Sequence, residues 1–189
     1  SIKLQIEAGI IRLSGNAEAQ QKARGSFEHT AEQLNDVLGE VRRISHNLRP
    51  AILDDLGLAA ALDHLAHEFT EHSATPVHFS AVGNTDGLPH VANTVLFRIA
   101  QEALTNVERH AHAHRIDMAL VRKGKTMTLT VRDDGSGFDS KRVALHPKRG
   151  IGLRNMMERM DAIGGRLDIA SSTAGTTVKA SVEIDGFNS

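Results

Sequence analysis

The sequence predicts an α+β protein: a helical hairpin at the N-terminus, then a layered α/β sandwich with helices on one face of a mixed sheet. Three observations predict it. Apolar residues recur at three- and four-residue intervals as far as Phe69, a helical period. From Val77 onward, segments alternating with period two are interleaved with helical ones. Glycine-rich, acidic turns then fall at a strand end and at a helix start in the second half of the chain.

Ile2, Ile6, Ile10 and Leu13 mark a short first helix that Ser14-Gly15-Asn16 interrupts. Phe27, Ala31, Leu34, Leu38, Val41 and Leu48 follow a heptad seam and predict a longer second helix. Arg49-Pro50 ends it, because proline steers the preceding residue out of helical geometry. Two helices with such narrow apolar stripes cannot bury them alone. A four-helix bundle shared by two chains would, which predicts a homodimer; packing on the rest of the same chain is the alternative.

Asp54-Asp55 is expected to open a third helix, where carboxylates suit the positive end of the dipole, with Leu58, Leu62, Leu65 and Phe69 on one face. Ala74-Thr75-Pro76 breaks it. Val77, Phe79 and Val82 alternate like a strand, and Val91, Val95, Ile99, Ala103 and Val107 stripe a helix ending near His110. Ile116 to Val121 and Met127 to Val131 form a strand pair around Lys123-Gly124-Lys125. A glycine-rich, charged stretch from Asp133 to Gly150 precedes a helix reaching about Ile163. Two last strands follow, Arg166 to Ala170 and Thr177 to Ile184, joined at Ala174-Gly175.

Composition removes several functional classes. With 40% apolar and 24% charged residues the chain is an ordinary folding sequence. Its formal net charge of -1 argues against a dedicated nucleic-acid binder, although Arg42-Arg43 is locally basic. The absence of cysteine excludes disulfides and thiolate metal sites and fits a cytoplasmic location. No apolar run approaches the roughly 20 residues that span a bilayer, so a membrane anchor is expected only in segments outside this chain. Ser1-Ile2-Lys3-Leu4 reads as helix interior, which predicts a piece of a longer protein.

Three segments could carry chemistry. Val131-Arg132-Asp133-Asp134-Gly135-Ser136-Gly137-Phe138 puts a carboxylate at a strand end, followed by glycines that let backbone approach a ligand closely. Arg149-Gly150-Ile151-Gly152-Leu153 leads straight into a helix, whose free N–H groups and dipole suit a phosphate. It has neither the third glycine of the dinucleotide fingerprint nor the Lys-Ser/Thr of a P-loop. Along the helix from Phe97 to Ala111, Glu102, Asn106 and Arg109 fall within two turns. An amide oxygen with a carboxylate acting through water suits Mg²⁺, which keeps much of its hydration. Each segment also has a plainer reading, as a turn, a packing loop or a solvated face.

In this order the three segments resemble bacterial two-component sensor histidine kinases. The helix is similar to the N box, Asp133-x-Gly135-x-Gly137 to the G1 box and Gly150-x-Gly152-Leu153 to the G2 box. Gly175-Thr176-Thr177-Val178 looks like the closing strand entry of that ATP-binding domain. Val41 to Pro50, with Leu53-Asp54-Asp55-Leu56-Gly57-Leu58, looks like the second dimerisation helix and linker of the nitrate-sensor-like subfamily. The same fold serves gyrases, mismatch-repair ATPases, chaperones and anti-sigma-factor kinases, so fold alone does not decide function.

The resemblance implies residues 1–53 as dimerisation and phosphotransfer helices, 54–75 as a linker helix and 76–189 as the ATP-binding domain. It implies ATP and Mg²⁺ as cofactors, with a second copy of the chain and a response-regulator receiver domain as partners. Asn106 would hold Mg²⁺, and Glu102 would be catalytic, orienting metal-bound water or assisting proton removal. Asp133 would accept the adenine amino group; Gly135 and Gly137 would let the chain pass the nucleotide. Gly150, Ile151, Gly152 and Leu153 would hold phosphates, with Arg109 and His110 as nearby basic residues and Thr177 as a further contact. Residues 138–149 would form the ATP lid.

The family's phosphoacceptor histidine, early in the first bundle helix, has no counterpart in residues 1–13, so the chain is expected to begin downstream of it. His46 precedes Asn47 late in the second helix, a poor context for an acceptor, and His29 has less support. His110, His112 and His114 invite a metal reading, but no carboxylate completes the set and a helix C-terminus favours histidine anyway. Two other functional classes remain open: a nucleotide-independent dimerisation or docking protein on the same fold, and an anti-sigma-type serine kinase, which would lack the bundle helices.

Overall fold

The computed structural model describes residues 51–73, 75–138 and 151–184. All belong to the unit Arg49–Ser189, the second of two into which the chain divides. The two helices expected before Pro50, Gly150 and lid residues 139–149 lie outside the described residues.

Along the chain come α1 (Ala51–Asp55), α2 (Gly57–His72), β1 (Val77–Val82), α3 (His90–His110), β2 (Ile116–Lys123), β3 (Thr126–Asp133), α4 (Ile151–Asp161), β4 (Arg166–Ser172) and β5 (Gly175–Glu183). The expected third helix is therefore two. Asp54 and Asp55 end the short α1, and Gly57, at a φ of 80° that other residues avoid, restarts the chain as α2. Leu58, Leu62 and Leu65 are buried as their spacing requires, and α2 packs on β1 and α3.

The five strands form one sheet in the order β1-β2-β3-β5-β4, with β1 parallel to β2 and the other neighbours antiparallel. Only Gly124 and Lys125 connect β2 to β3. Gly124 has a φ of 61°, suited to the first position of a two-residue hairpin. The last hairpin turns just as tightly at Thr173-Ala174, since Ser172 pairs with Gly175.

Strand alternation decides where the core lies. Ile116, Met118 and Leu120 of β2, Met127, Leu129 and Val131 of β3, and Val178, Ala180 and Val182 of β5 are all buried on one face. Against them pack α2, α3 and α4. From α3 come Leu96, Ile99, Ala103, Leu104 and Val107; Met156 and Met160 come from α4. The other face carries Asp117, Arg132, Lys179 and Asp168 to solvent. The result is a two-layer α/β sandwich, helices over one face of a mixed sheet. Its α4 ends at Gly164, where φ is 64° and the next N–H, that of Gly165, bonds back to the Met160 carbonyl at 2.9 Å, a Schellman-type stop.

Candidate functional site

Period-two alternation in β3 sets the position of Asp133. Met127, Leu129 and Val131 point into the core, and the next inward position is Asp133, 5% exposed and the one buried charged side chain among the described residues. A carboxylate there needs hydrogen-bond donors. The N–H of Gly135 donates to its Oδ1 at 2.9 Å and that of Thr176 to the same oxygen at 3.3 Å. Both bonds fall on Oδ1, which leaves Oδ2 for a donor from a ligand.

The turn after Asp133 is built by close approach. A Cβ on Gly135 would strike the Ala111 carbonyl and lie 2.8 Å from the Ala111 Cβ. Ser136 N–H donates to that same carbonyl at 2.8 Å, fastening the turn to the end of α3. Gly137, at a φ of 61°, backs onto the Ser172 carbonyl, and Phe138 N–H donates to Ser171 Oγ at 2.8 Å. On the far side Gly175 presses on the backbone of Asp133 and Asp134.

α3 supplies the opposing wall. Its buried face packs on the sheet, and the remaining face carries Glu102, Asn106 and Arg109 at intervals of four and three. Glu102 and Asn106 are half-buried, whereas Arg109 and His110 are exposed at the helix end. Among the described residues the Asn106 amide makes no hydrogen bond, so it is available to a ligand.

α4 begins beside Glu102. A Cβ on Gly152 would overlap the Glu102 carboxylate and lie 2.9 Å from its Cδ, so glycine is what lets the helix start there. Further along, the Arg98 guanidinium is held below its ordinary value by burial and then by the charge of Arg159. α4 thus packs on α3 with its Gly152 turn against Glu102. That first turn, whose N–H groups have no partner within the helix, lies next to the polar row on α3.

The fold thereby gathers Glu102, Asn106 and Gly152 at one end of the helix layer, and Asp133, Gly135 and Gly137 at the adjoining strand end. Ile151 opens α4, and Leu153 packs partly against the core. Thr177 stands apart: it pairs with Arg132, and its strand position faces away from the side of Val178 and Asp133. Its neighbour Thr176 is the residue that bonds Asp133, and Thr176 Oγ1 lies 3.0 Å from Ser171 Oγ. The sequence held the signal for Thr176, because counting back by two from Val178 places it on the inward face. Ser171 needed the hairpin register, in which it sits opposite Thr176.

Asp134 was also passed over. Its Oδ1 accepts from the N–H of His114 at 2.7 Å and of Arg115 at 3.0 Å. Those bonds, that from Arg115 foremost, hold its carboxyl below the usual range. They fix a link in which His112 adopts a φ of 50°, a left-handed conformation that costs a non-glycine residue about 1 kcal/mol or more. The same reversal removes His114 from the helical face of His110, and no group of three metal-binding side chains exists among the described residues.

These features fit a purine nucleotide with its phosphates and a divalent ion: a buried carboxylate with a free acceptor, a turn drawn close to its neighbours by glycines, and, among the described residues, an amide without a hydrogen bond beside a helix start. Among the described residues no helix is long and apolar enough to cross a membrane.

Residues 92–186, which include every candidate site residue, match the family of histidine kinase-, DNA gyrase B-, and HSP90-like ATPases. The chain is 46% identical over 155 residues to the sensor histidine kinase MctS of Rhizobium johnstonii, covering 82% of this chain and 34% of that protein. It is 36% identical over 155 residues to the signal transduction histidine-protein kinase/phosphatase DegS of Brevibacillus brevis, covering 81% of this chain and 39% of that protein. The chain therefore spans well under half of the curated relatives it matches. Among solved structures, the histidine kinase domain of the blue-light activated histidine kinase of Erythrobacter litoralis superposes with a TM-score of 0.62 at 20% identity, over 97% of this chain and 93% of that one, a likeness of fold. The chain belongs to the histidine kinase-, DNA gyrase B- and HSP90-like ATPase family, and within it to the bacterial two-component sensor histidine kinases.

Proposed function

We propose that this chain is the ATP-binding core of a sensor histidine kinase whose intact form phosphorylates a histidine and passes the phosphoryl group to a response-regulator aspartate. The observation that carries the reading is Asp133: a buried carboxylate with Oδ1 held by two backbone N–H groups and Oδ2 left over. Such a group selects a ligand with an exocyclic amine, as adenine has, and rejects a carbonyl oxygen at that place.

The other residues divide the remaining work. Gly135 and Gly137 let the turn after Asp133 lie close against Ala111 and Ser172, and would in that way let the chain pass the nucleotide. Asn106 and Glu102 would hold Mg²⁺, Asn106 directly and Glu102 through water, and the bound ion would neutralise charge on the phosphates. Gly150, Ile151, Gly152 and Leu153 would hold the phosphates through backbone N–H groups, with Arg109 and His110 as basic residues at the rim. Glu102, half-buried behind Gly152, is the group to orient water or accept a proton. Because phosphoryl transfer needs little covalent help, positioning and electrostatics supply most of the catalysis.

Residues 1–53 would form the dimerisation helices, 54–75 a linker and 76–189 the catalytic domain, with a receiver domain as the second partner and the cytoplasm as the working compartment. Resemblance of Val41 to Leu58 to the nitrate-sensor-like subfamily supports that division.

Calorimetric titration with Mg-ATP tests the reading, with Asp133→Asn in parallel and the solution mass taken by light scattering on the same sample. Saturable binding by a dimer, lost in the variant, is expected. No binding by the parent chain at millimolar nucleotide would overturn it in favour of a docking protein.

A further inference from the structure

Two halves of the site come from different elements, and something must set their relation. Asp133 and its glycines end β3, whereas Glu102, Asn106, Arg109 and His110 ride on α3. Between α3 and β2 runs the short link Ala111 to Arg115, with His112 held left-handed. Two side chains grip it. Thr75 Oγ1 donates to the Ala113 carbonyl at 3.0 Å, and Asp134 Oδ1 accepts from His114 and Arg115. Asp134 N–H also donates to the Arg115 carbonyl at 3.3 Å.

We infer that Asp134 is a positioning residue of the nucleotide site, whose carboxylate fixes the α3–β2 link and so sets where the phosphate-side residues on α3 stand relative to Asp133. The inference rests on the ATP-binding reading. Asp134 lies next to Asp133 in sequence but faces the other way, and it touches no group proposed to meet the ligand. Asp133 draws its own support from Gly135 and Thr176, so the base-recognising carboxylate keeps its partners without Asp134. The end of α3 keeps the Ser136 bond to the Ala111 carbonyl, but that bond lies before the left-handed His112, and the only side chain among the described residues that still grips the rest of the link once the Asp134 carboxylate is gone is that of Thr75. Losing the two N–H bonds frees a link that already holds an unfavourable backbone angle, and the helix end then samples positions that no longer match the nucleotide.

The consequence is selective. Adenosine, which engages the base end alone, should bind almost as before, while Mg-ATP, which must meet both ends at once, should bind more weakly. Because the side chain is exposed, its removal leaves the core intact. Asparagine in its place keeps an amide oxygen able to accept the same two bonds.

NMR on the full chain reads both arms, comparing the parent with Asp134→Ala and Asp134→Asn by amide exchange without nucleotide and by titration with adenosine and with Mg-ATP. In the alanine variant the His114 and Arg115 amides should exchange faster by about tenfold or more, and Mg-ATP affinity should fall about tenfold with adenosine affinity changed by about twofold or less. The asparagine variant should recover most of both effects. Unchanged exchange would overturn the inference, as would an equal loss of adenosine and Mg-ATP, or an asparagine variant as impaired as the alanine one. Faster exchange in the alanine variant, with a parent chain that binds neither ligand, would leave Asp134 a loop fastener and sink the ATP-binding reading instead.

Discussion

At the scale of single residues, Gly152 balances two opposed demands. Alanine is the better helix former, by about 1 kcal/mol in a helix interior and by less in the first turn of α4, which favours Gly152→Ala. Its Cβ would overlap the Glu102 carboxylate, and relieving such a clash costs about 1–3 kcal/mol. Glu102 is half-buried on a helix surface and can swing away, so the two effects should nearly cancel in stability while the carboxylate is displaced. Gly152→Ala is therefore expected to melt within a few degrees of the parent yet bind Mg-ATP several-fold more weakly by calorimetry. A variant that is more stable and binds equally well would show that Glu102 does not need its place.

Among the elements, α3 is both the keystone of the core and the carrier of the polar row. Leu96 is fully buried between the layers, so Leu96→Ala should lose about 2–5 kcal/mol in a urea titration. Val91, in the first turn and 54% exposed, should tolerate alanine within about 0.5 kcal/mol. Equal costs at both positions would contradict the packing described. The stripe Val95, Ile99, Ala103 and Val107 was legible because a helix repeats its buried face locally; Val91 shares the period but not the burial. β2 and β3 were legible from alternation and a two-residue turn. The break at Leu56 was not, since Asp54-Asp55 reads as a helix start until Gly57 is known to be left-handed. Of the proposed site, the candidates that rest on local pattern are visible in the sequence: Asp133 with its glycines, and Glu102 with Asn106. What escaped depends on register between distant strands, as Thr176 against Asp133 does, or on a contact twenty residues away in sequence, as Asp134 against His114 does.

For the molecule as a whole, the sheet has two kinds of seam. β2–β3 and β4–β5 are tight hairpins, whereas β3–β5 joins segments separated by the whole of α4. Loop closure makes the hairpins early structures in folding and the β3–β5 seam a late one. The Thr176 bond to Asp133 and the packing of Gly175 on Asp133 both lie on that late seam. A nucleotide bound there would act as a rivet across a joint expected to close after the rate-limiting step. At a hundred times its dissociation constant it would add about 2.7 kcal/mol of stability. Most of that gain should appear as slower unfolding, with refolding nearly unchanged, in stopped-flow traces with and without Mg-ATP. Faster refolding by the same factor would place the seam in the folding nucleus. If unfolding alone slows, a chain loaded with nucleotide is also a chain protected against proteolysis that proceeds through global opening, and nucleotide concentration becomes a determinant of how long the protein lasts.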